Sequence, residues 1–584
     1  MTGPGTATRR GGRRRAVGIV VGLPVAALVG VTGWLGVRGA LAVRHLQAAA
    51  AAVPAIRTEV MAGDLTAARP RLDRFTADTA AAARLTGDPV WAAATRLPRV
   101  GDDLAAVRTV ASVGARIATG VVGPLTGPAG LGAISAARSD GAGPAPMVTA
   151  LAAARAPMAD AQRQLRAAAA ELATVDTRPL DPRVAVPTET LRDRLGAADT
   201  DLDAAVRASR VLPAMLGGTR PRTYLVLFQN LAEARSLGGV PSAFAVVRAQ
   251  RGTVELVAQG SSADVGPFDP PVLDLDPAYR QLLADRTGRY LQDVTATPWF
   301  PDTARLAREM WRRTSGQQVD GVVATDPVML ARLMAVTGPI RLPDGGTVGA
   351  GGIAQLVQHD VYYRYPDPAA QDRFFAGTAA AAFGSLVRYR GDPVALVRAA
   401  SAGIAEGRLL VWDSSPAVEA GLTGTVLAGI PAGTAAPGDE RPFVGVYLND
   451  GTGSKMSWYL RRDVRVTEGP RRADGGRTLR VRLVLSSTAP AGGLPGYVTG
   501  AGRNGVRPGT MRMSVWVVGS GGGGVVAARV DGRGTPLGAY RLHGRPLGAL
   551  TVDLLPGATR TVEFELVAPP GRGSPRVALQ PLVR

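Results

Sequence analysis

The sequence has no cysteine and only three histidines among its 584 residues. The lack of cysteine excludes disulfides, thiolate metal sites and cysteine nucleophiles. Three scattered histidines leave little basis for a histidine metal cluster or a Ser-His-Asp triad. No Walker phosphate loop is present, and no dinucleotide-binding glycine motif follows an apolar strand pattern. Any chemistry would therefore depend on arginine, aspartate and glutamate.

What the chain has in excess is positive charge. The 67 basic residues outnumber the 47 acidic ones by 20. The excess is uneven, since residues 443–584 hold 20 Lys or Arg against 8 Asp or Glu. A surface of this kind attracts anionic polymers or lipid head groups. The alternative is an arginine-rich but merely solvated face.

The longest uncharged run lies near the N-terminus, from Ala16 to Val37. A helix of that length rises about 33 Å, enough to cross a bilayer. Five arginines precede it, so the positive-inside rule places residues 1–15 in the cytoplasm. We predict a single-pass protein of the cell membrane with most of its chain extracytoplasmic, and therefore no nucleic-acid partner. A cleaved signal peptide is the alternative.

The rest of the chain divides by its periodicity. Residues 40–215 are Ala-rich and helical in pattern, which predicts a bundle or stalk outside the membrane. One predicted helix there has a near-heptad apolar seam, formed by Leu191, Leu195, Ala198, Leu202 and Ala205. A spacer is the simpler interpretation of this region, and a sensor is the alternative.

The later regions contain strand patterns. Residues 219–430 alternate strands with helices, which predicts an α-β-α core. One hairpin is predicted there, with strands at 243–250 and 253–259 around Arg251-Gly252. Residues 443–584 have period-two patterns between Gly- and Pro-rich turns, which predicts an antiparallel β-sandwich. The fold class is therefore multidomain α/β.

The densest group of functional residue types follows the first predicted strand. It contains Asn230, Glu233, Arg235, Gly238 and Gly239. The glycines would let backbone amides approach an anion, and an arginine fork suits bidentate phosphate binding. The alternative is structural, with Glu233 and Arg235 tying a tight turn.

A second group lies further along the chain. Arg364 belongs to a tyrosine-rich stretch, and Asp372 with Arg373 opens a predicted helix. Asp372 would serve as a base or metal ligand and Arg373 as a phosphate clamp. The alternative is a helix-dipole and stacking role. Asp326 ends an apolar run and either enters a site or caps the next helix.

Several separated strings occur in the order typical of one family. Arg222–Leu256, Val319–Ile340, Tyr362–Phe375 and Lys455–Val464 resemble domain of unknown function 4012, which is found in actinobacterial envelope proteins. The resemblance covers the chain from about residue 10 to about residue 470. It implies an envelope location but no activity.

The order of strands and turns is also distantly similar to the LytR-CpsA-Psr family. That resemblance implies transfer of a glycopolymer from a polyprenyl-pyrophosphate carrier, usually with Mg²⁺. Arg235, Asp372 and Arg373 are the positions that would match its pyrophosphate-binding residues. The sequence departs from the family after Arg235, where Ser236-Leu237-Gly238-Gly239 replaces an Arg-x-Asp pattern.

Two functions follow as hypotheses. The first is an envelope protein that binds a phosphorylated or lipid-linked glycopolymer, with an anionic wall polymer or a polyprenyl-phosphate lipid as partner. The second is a LytR-CpsA-Psr-like phosphotransferase, and only this one implies Mg²⁺. The residues leave open whether the protein is an enzyme and which residues, if any, would bind a metal.

Overall fold

The structure is a computed structural model that describes residues 12–62, 64–127, 129–139, 143–431 and 441–583. The chain forms two compact units, Met1–Leu212 and Pro213–Arg584. Most of the predicted cytoplasmic tail, residues 1–15, lies outside the described residues.

The first unit is built from α-helices, as the Ala-rich pattern predicts. A π-helical turn at Ala118–Val122 connects the fourth helix to the fifth. The helices are α1 Gly12–Ala62, α2 Leu65–Thr86, α3 Pro89–Ala94, α4 Gly101–Ile117, α5 Gly123–Thr126, α6 Leu131–Ser139, α7 Pro144–Ala153, α8 Arg155–Ala173 and α9 Pro182–Met215.

The apolar N-terminal run is helical, as predicted, but its helix is longer than the expected 16–37. Helix α1 continues to Ala62, and its segment Gly30–Val60 is long and apolar enough to cross a membrane. By length and composition alone, Gly101–Ala137 meets the same criterion. Membrane anchors and signal sequences share these properties, so the single-pass topology stays a prediction.

The predicted heptad seam of α9 packs into the core of the first unit. Leu195 and Leu202 are buried in a cluster with Leu165 and Leu172 of α8, and the other seam residues pack against it. Small alanines on α8, such as Ala161 and Ala168, are fully buried in the same cluster.

The second unit begins with a five-stranded mixed sheet in the order β3-β2-β1-β4-β7. Strand β1 pairs antiparallel with β2 and parallel with β4. The predicted hairpin is confirmed as β2 and β3, joined at Arg251-Gly252. The strands are β1 Arg222–Arg235, β2 Gly238–Gln250, β3 Thr253–Ser261, β4 Gly321–Thr325, β5 Ile340–Arg341, β6 Thr347–Val348 and β7 Leu409–Asp413.

Helices lie on both faces of this sheet. On one face, Leu225 and Leu227 pack in a cluster with Ala304, Ala307 and Met310 of α12. On the other face, α13 and α16 line a cavity described below. The helices of this unit are α10 Pro277–Leu283, α11 Arg286–Arg289, α12 Phe300–Ser315, α13 Pro327–Thr337, α14 Ala350–Gln355, α15 Val361–Arg364, α16 Pro368–Arg388, α17 Pro393–Ala405, α18 Pro416–Leu422 and α19 Gly496–Thr499.

The C-terminal part of the chain forms two further five-stranded sheets. Their orders are β13-β12-β16-β10-β9 and β14-β15-β11-β8-β17. Most pairs are antiparallel, as predicted, but β17 runs parallel to β8. The strands are β8 Phe443–Asp450, β9 Leu460–Arg471, β10 Arg477–Ser487, β11 Met511–Gly519, β12 Gly524–Val530, β13 Arg533–Gly534, β14 Gly538–Leu542, β15 Arg545–Leu554, β16 Thr559–Ala568 and β17 Arg576–Leu579.

The two C-terminal sheets share one hydrophobic cluster. Alternate residues of β10, such as Val481 and Leu483, meet alternate residues of β11, such as Met513 and Val515. The cluster also contains Tyr362, which precedes these sheets in the chain. The apolar core of the second unit is therefore continuous across residue 442, where the sequence predicts a domain boundary.

Candidate functional site

The first predicted site segment lies within a strand and not, as expected, after one. Strand β1 continues through Arg235 because Ala234 pairs with Gly239 and Arg235 with Gly238 of β2. The register shifts between Asn230 and Ala234, which marks a bulge. The polar residues of this segment are therefore held by sheet pairing and are buried.

The two glycines are required by close backbone approach. A side chain on Gly239 would place its Cβ 2.2 Å from the Asn230 carbonyl oxygen, and Gly238 has a φ of +130°. The Gly239 amide donates to Gln229 Oε1 at 3.0 Å. The amide that the sequence suggested for an anion is thus already bonded within the hairpin.

Arg235 is buried and surrounded by acceptors. Its Nη2 donates to Glu233 Oε1 at 2.7 Å and to Asp293 Oδ1 at 3.3 Å, and its Nη1 donates to the Asp450 carbonyl at 3.1 Å. Its guanidinium is therefore paired inside the protein, where it has no direct access to a phosphate in solvent.

Glu233 joins Arg235 to a second buried cation. Lys455 Nζ donates to Glu233 Oε2 at 2.5 Å. Burial alone would raise the pKa of Glu233, but Lys455 and Arg235 outweigh it and lower that pKa to about 2. Burial likewise opposes the charge on Lys455, yet the Glu233 carboxylate raises the pKa of Lys455 above its ordinary value.

Asn230 and Asp450 complete this buried ion cluster, which we define as Asn230, Glu233, Arg235, Asp450 and Lys455. Asn230 Nδ2 donates to the Tyr362 hydroxyl, and Asn230 Oδ1 accepts from the Ala232 amide. Asp450 Oδ1 accepts from the Thr452 amide at 2.6 Å. Burial raises the pKa of Asp450, as does the neighbouring Glu233. The cluster connects β1 to β8 and fits a structural role.

Asp326 is a helix cap, the simpler of its two predicted roles. Its Oδ1 accepts from the amides of Val328 and Met329, the first turn of α13. Its Oδ2 pairs with Arg408 Nη1 at 2.9 Å. Burial raises the pKa of Asp326 despite this arginine. Asp326 also lines the cavity described below.

The second predicted group is not brought to the ion cluster. The Arg373 side chain is 74% exposed, with Asp367 at 4.0 Å, and Arg364 lies 3.7 Å from Asp344. Asp372 lies near Asp264 and Asp367, and burial first, then these carboxylates, raise its pKa. Among the described residues, Arg235 and Arg373 have no common partner. The predicted pyrophosphate clamp is therefore not assembled.

The phosphotransferase hypothesis implies a metal ion, which would need carboxylate or histidine ligands. Within the described ranges, no group of three histidine or carboxylate side chains is placed to hold a metal ion. Mg²⁺ binding therefore stays part of the phosphotransferase hypothesis alone.

A second feature of this unit is an apolar cavity of about 260 Å³ on the sheet face opposite α12. It lies between the strands β1, β2 and β3 and the helices α13 and α16. Its apolar lining includes Val226, Phe228, Ala243, Ala245, Val247, Leu256, Leu330, Leu333, Met334, Val357, Phe375, Ala379, Ala382, Phe383 and Leu386.

The period-two pattern of the strands produces this cavity. In β2, Phe244 and Val246 pack against α12, so Ala243 and Ala245 point to the other face. On α16, Ala379 and Ala382 lie opposite. Small side chains on both walls leave the space that larger residues would fill.

The cavity also contains two polar side chains whose hydrogen-bonding capacity is unused. Gln358 is 1% exposed, and neither its amide nitrogen nor its amide oxygen has a partner within the described residues. Thr378 is 3% exposed, and its hydroxyl likewise has none there. Buried polar groups of folded proteins are nearly always bonded, so an unpartnered pair calls for an explanation.

One family model covers part of this region. Residues 219–362 match the family described as "Protein of unknown function (DUF4012)". No curated protein matches the chain. The predicted resemblance to this family is thus confirmed for a segment that includes β1 to β4, the ion-cluster residues of β1 and Gln358. The similarity to the LytR-CpsA-Psr family and the actinobacterial origin stay predictions.

Four residues of these sites were not predicted from the sequence: Gln358, Thr378, Asp450 and Lys455. Gln358 and Thr378 lie in helical patterns where nothing distinguishes them. Lys455 had a signal that was available, because it is the sole lysine in the chain. The lysine ammonium is a compact point charge, unlike the planar guanidinium of arginine. A single lysine in a chain that otherwise uses arginine therefore indicates that position 455 has an unusual environment.

Proposed function

We propose that the chain is a membrane-anchored protein of the cell envelope that binds the apolar chain of an amphiphilic lipid in the cavity next to β2 and α16. Lipid-linked glycopolymers are ligands of this kind. The observation that supports the proposal is an apolar cavity in a protein whose N-terminal helix suits a membrane. The bulk of the chain then lies on the extracytoplasmic side.

The size and lining of the cavity favour one chain over a whole lipid. Its volume of about 260 Å³ is slightly below the about 300–1,000 Å³ typical of ligand pockets. Most of its lining residues are aliphatic or aromatic. A single apolar chain would enter, and the bulky head group with its glycan would stay outside.

Photolabelling with a lipid-like probe tests this proposal. The full chain would be placed in lipid nanodiscs with a photoreactive ten-carbon alkyl diazirine, and labelled peptides mapped by mass spectrometry. We expect labels on α16 and β2 in addition to α1, which contacts the bilayer. Absence of label from both α16 and β2 would overturn the proposal.

A matched pair of variants makes this test specific. Ala379→Leu fills part of the cavity and should reduce labelling of α16 several-fold. Ala369→Leu makes the same change at an exposed position of the same helix and should have no effect. Equal labelling of the two variants would contradict binding inside the cavity.

A second candidate function, binding of an anionic polymer, is favoured by a cleft in the C-terminal sheets. This arginine cleft has a volume of about 670 Å³ and is lined by four arginines, with no acidic residue among its described lining. The arginines are Arg441, Arg471, Arg545 and Arg572. Guanidinium groups bind phosphate and carboxylate bidentately. An anionic wall polymer would meet this requirement.

Arg545 is the most informative residue of the arginine cleft. It is 5% exposed and stacks on Phe443, with 5.2 Å from its guanidinium carbon to the ring centroid. No carboxylate lies within ion-pair distance of it among the described residues, and burial lowers its pKa. A buried cation without a counter-charge is stabilised by an anionic ligand.

Polyphosphate is a suitable probe for this cleft. Arg471→Gln should weaken polyphosphate binding by the full chain and reduce its salt dependence, because one ionic contact is lost. Arg480→Gln removes the same charge from an exposed position of β10 outside the cleft and serves as the control. Equal losses in both variants would leave only a general attraction of the basic surface and would contradict the cleft site.

A further inference from the structure

We infer that the cavity selects a ligand with an uncharged hydrogen-bonding group, a hydroxyl or an amide, on its apolar chain, and that Gln358 and Thr378 bind this group. The inference rests on the proposed function, because it concerns the chemistry of the lipid that enters the cavity. It assigns a specificity role to two residues outside the clusters that the sequence singled out.

The first argument is the state of Gln358. It lies in the π-helical turn Leu356–Asp360 between α14 and α15 and lines the cavity while almost fully buried. Its amide offers two donor hydrogens and one acceptor oxygen, and both polar atoms lack a partner in the described chain. Leaving such a group unbonded is costly, so the cavity is built to bond with something that enters it.

The second argument is that Thr378, on the separate helix α16, is also a buried polar residue without a hydrogen-bond partner. It lies on α16, lines the same cavity, and its hydroxyl is unpartnered there. Most buried threonines of helices bond to the carbonyl four residues earlier, as Thr79 and Thr188 do in the first unit. Thr378 has no such bond, which leaves its hydroxyl for a ligand.

The third argument concerns charge. No Lys, Arg or His lines the cavity, and its one ionisable lining residue, Asp326, is occupied as a helix cap and paired with Arg408. A phosphate or carboxylate inside would have no cation to neutralise it, which is strongly unfavourable in an apolar environment. The bound group is therefore uncharged, and any phosphate of the lipid stays outside the cavity.

The nitrogen and the oxygen of the Gln358 amide further restrict which ligand group can bind. A ligand with acceptors only, such as an ester, would satisfy the nitrogen and leave the oxygen unbonded. A hydroxyl or a primary or secondary amide both donates and accepts. These groups match the Gln358 amide, and the Thr378 hydroxyl has the same dual capacity.

The test uses three photoreactive probes that share a ten-carbon diazirine chain and end in a hydroxyl, a methyl or a phosphate. The full chain in nanodiscs is labelled with each, and label on α16 is divided by label on α1 to correct for partition into the bilayer. For the wild-type chain we expect the hydroxyl probe to exceed the methyl probe by about five- to tenfold, as one or two neutral hydrogen bonds provide. The phosphate probe should label α16 no more than the methyl probe does, because only its apolar chain enters the cavity.

The double variant Gln358→Leu/Thr378→Val should remove the preference for the hydroxyl probe while the methyl probe still labels α16. Gln355→Leu changes an exposed glutamine three residues before Gln358 and should keep the preference. Thermal melting of each variant confirms that it is folded.

The outcomes separate the two proposals. Equal labelling by the hydroxyl and methyl probes in the wild-type chain, or a preference that survives in the double variant, would overturn this inference and leave the proposed function intact. Absence of label from both α16 and β2 with every probe would overturn the proposed function itself.

Discussion

The buried ion cluster and the apolar cavity lie on neighbouring parts of β1. They differ in whether their buried polar side chains have partners within the protein. In the ion cluster, Glu233 bonds to both Arg235 and Lys455. In the cavity, Gln358 and Thr378 bond to nothing in the described residues. Asp450 Oδ2 also lacks a partner among the described residues, but the other charged side chains of the ion cluster pair with one another, whereas Gln358 and Thr378 leave all their side-chain capacity unused. A reactive residue type alone is therefore a poor guide to a binding site.

The largest expected effect comes from breaking the ion cluster. Glu233→Gln leaves two buried cations without their shared carboxylate and should lower the free energy of unfolding by about 3–5 kcal/mol. Chemical denaturation of the full chain in detergent, followed by tryptophan fluorescence, measures this change. Glu255→Gln alters an exposed glutamate of β3 and should change it by less than about 0.5 kcal/mol. Similar small effects in both would contradict the structural role.

Acid should break the same cluster in the wild-type chain. The folded-state pKa of Glu233, about 2, lies below its unfolded value. The stability that this carboxylate contributes is therefore full above the unfolded pKa and lost as the pH falls toward 2, by up to about 3 kcal/mol. The neighbouring Asp450, whose pKa is raised, changes stability with the opposite sign and loses its contribution as the pH rises.

Comparing the wild-type chain with Glu233→Gln isolates this titration. The difference in unfolding free energy between the two should shrink as the pH falls from about 5 to 2, because the wild-type carboxyl becomes neutral as well. A difference that stays constant over that range would show that Glu233 does not titrate as described.

Removing a polar side chain from the cavity should change the free energy of unfolding in the opposite direction. Gln358→Leu removes two unbonded polar atoms and should raise the stability of the ligand-free chain by about 1–3 kcal/mol. The expected gain sharpens the comparison, since loss of a polar residue from the ion cluster destabilises. The same denaturation measurement applies, with Gln355→Leu as the control. A loss of stability would mean that Gln358 is bonded in the folded chain.

The smallest expected effect is at Thr378. Thr378→Val keeps the shape of the side chain and removes only the hydroxyl, so the gain should be about 0.5–1.5 kcal/mol. Thr188→Val provides the contrast, because the Thr188 hydroxyl donates to the Val184 carbonyl at 2.7 Å and its loss should not stabilise. A stabilisation of both variants by the same amount would contradict the special state of Thr378.

Features with local causes were predictable from the sequence. The hairpin of β2 and β3 depends on Arg251-Gly252, both of which adopt positive φ in the turn. The seam of α9 depends on apolar spacing within one helix. The cap by Asp326 depends on residues two and three positions later. In each case the interacting residues lie within a few positions of one another or within a single helix.

The sites were harder because their partners are distant in the chain. Lys455 lies 222 residues after Glu233, so no local pattern pairs them. The extension of β1 through Arg235 depends on pairing with β2, which confines the turn to Ser236 and Leu237. The cavity arises from alanines on β2 and α16, which have ordinary propensities and become informative only when both walls are placed.

The short strand β17 has a consequence for how the second unit is completed. Strand β8 is buried along its whole length, yet among the described residues one of its edges pairs with β17 alone, about 130 residues later, where Gln580 also bonds to both backbone groups of Leu448. During synthesis that edge stays open until the later strand has emerged. An open, apolar edge invites pairing with other chains, and β17 covers this edge in the folded chain.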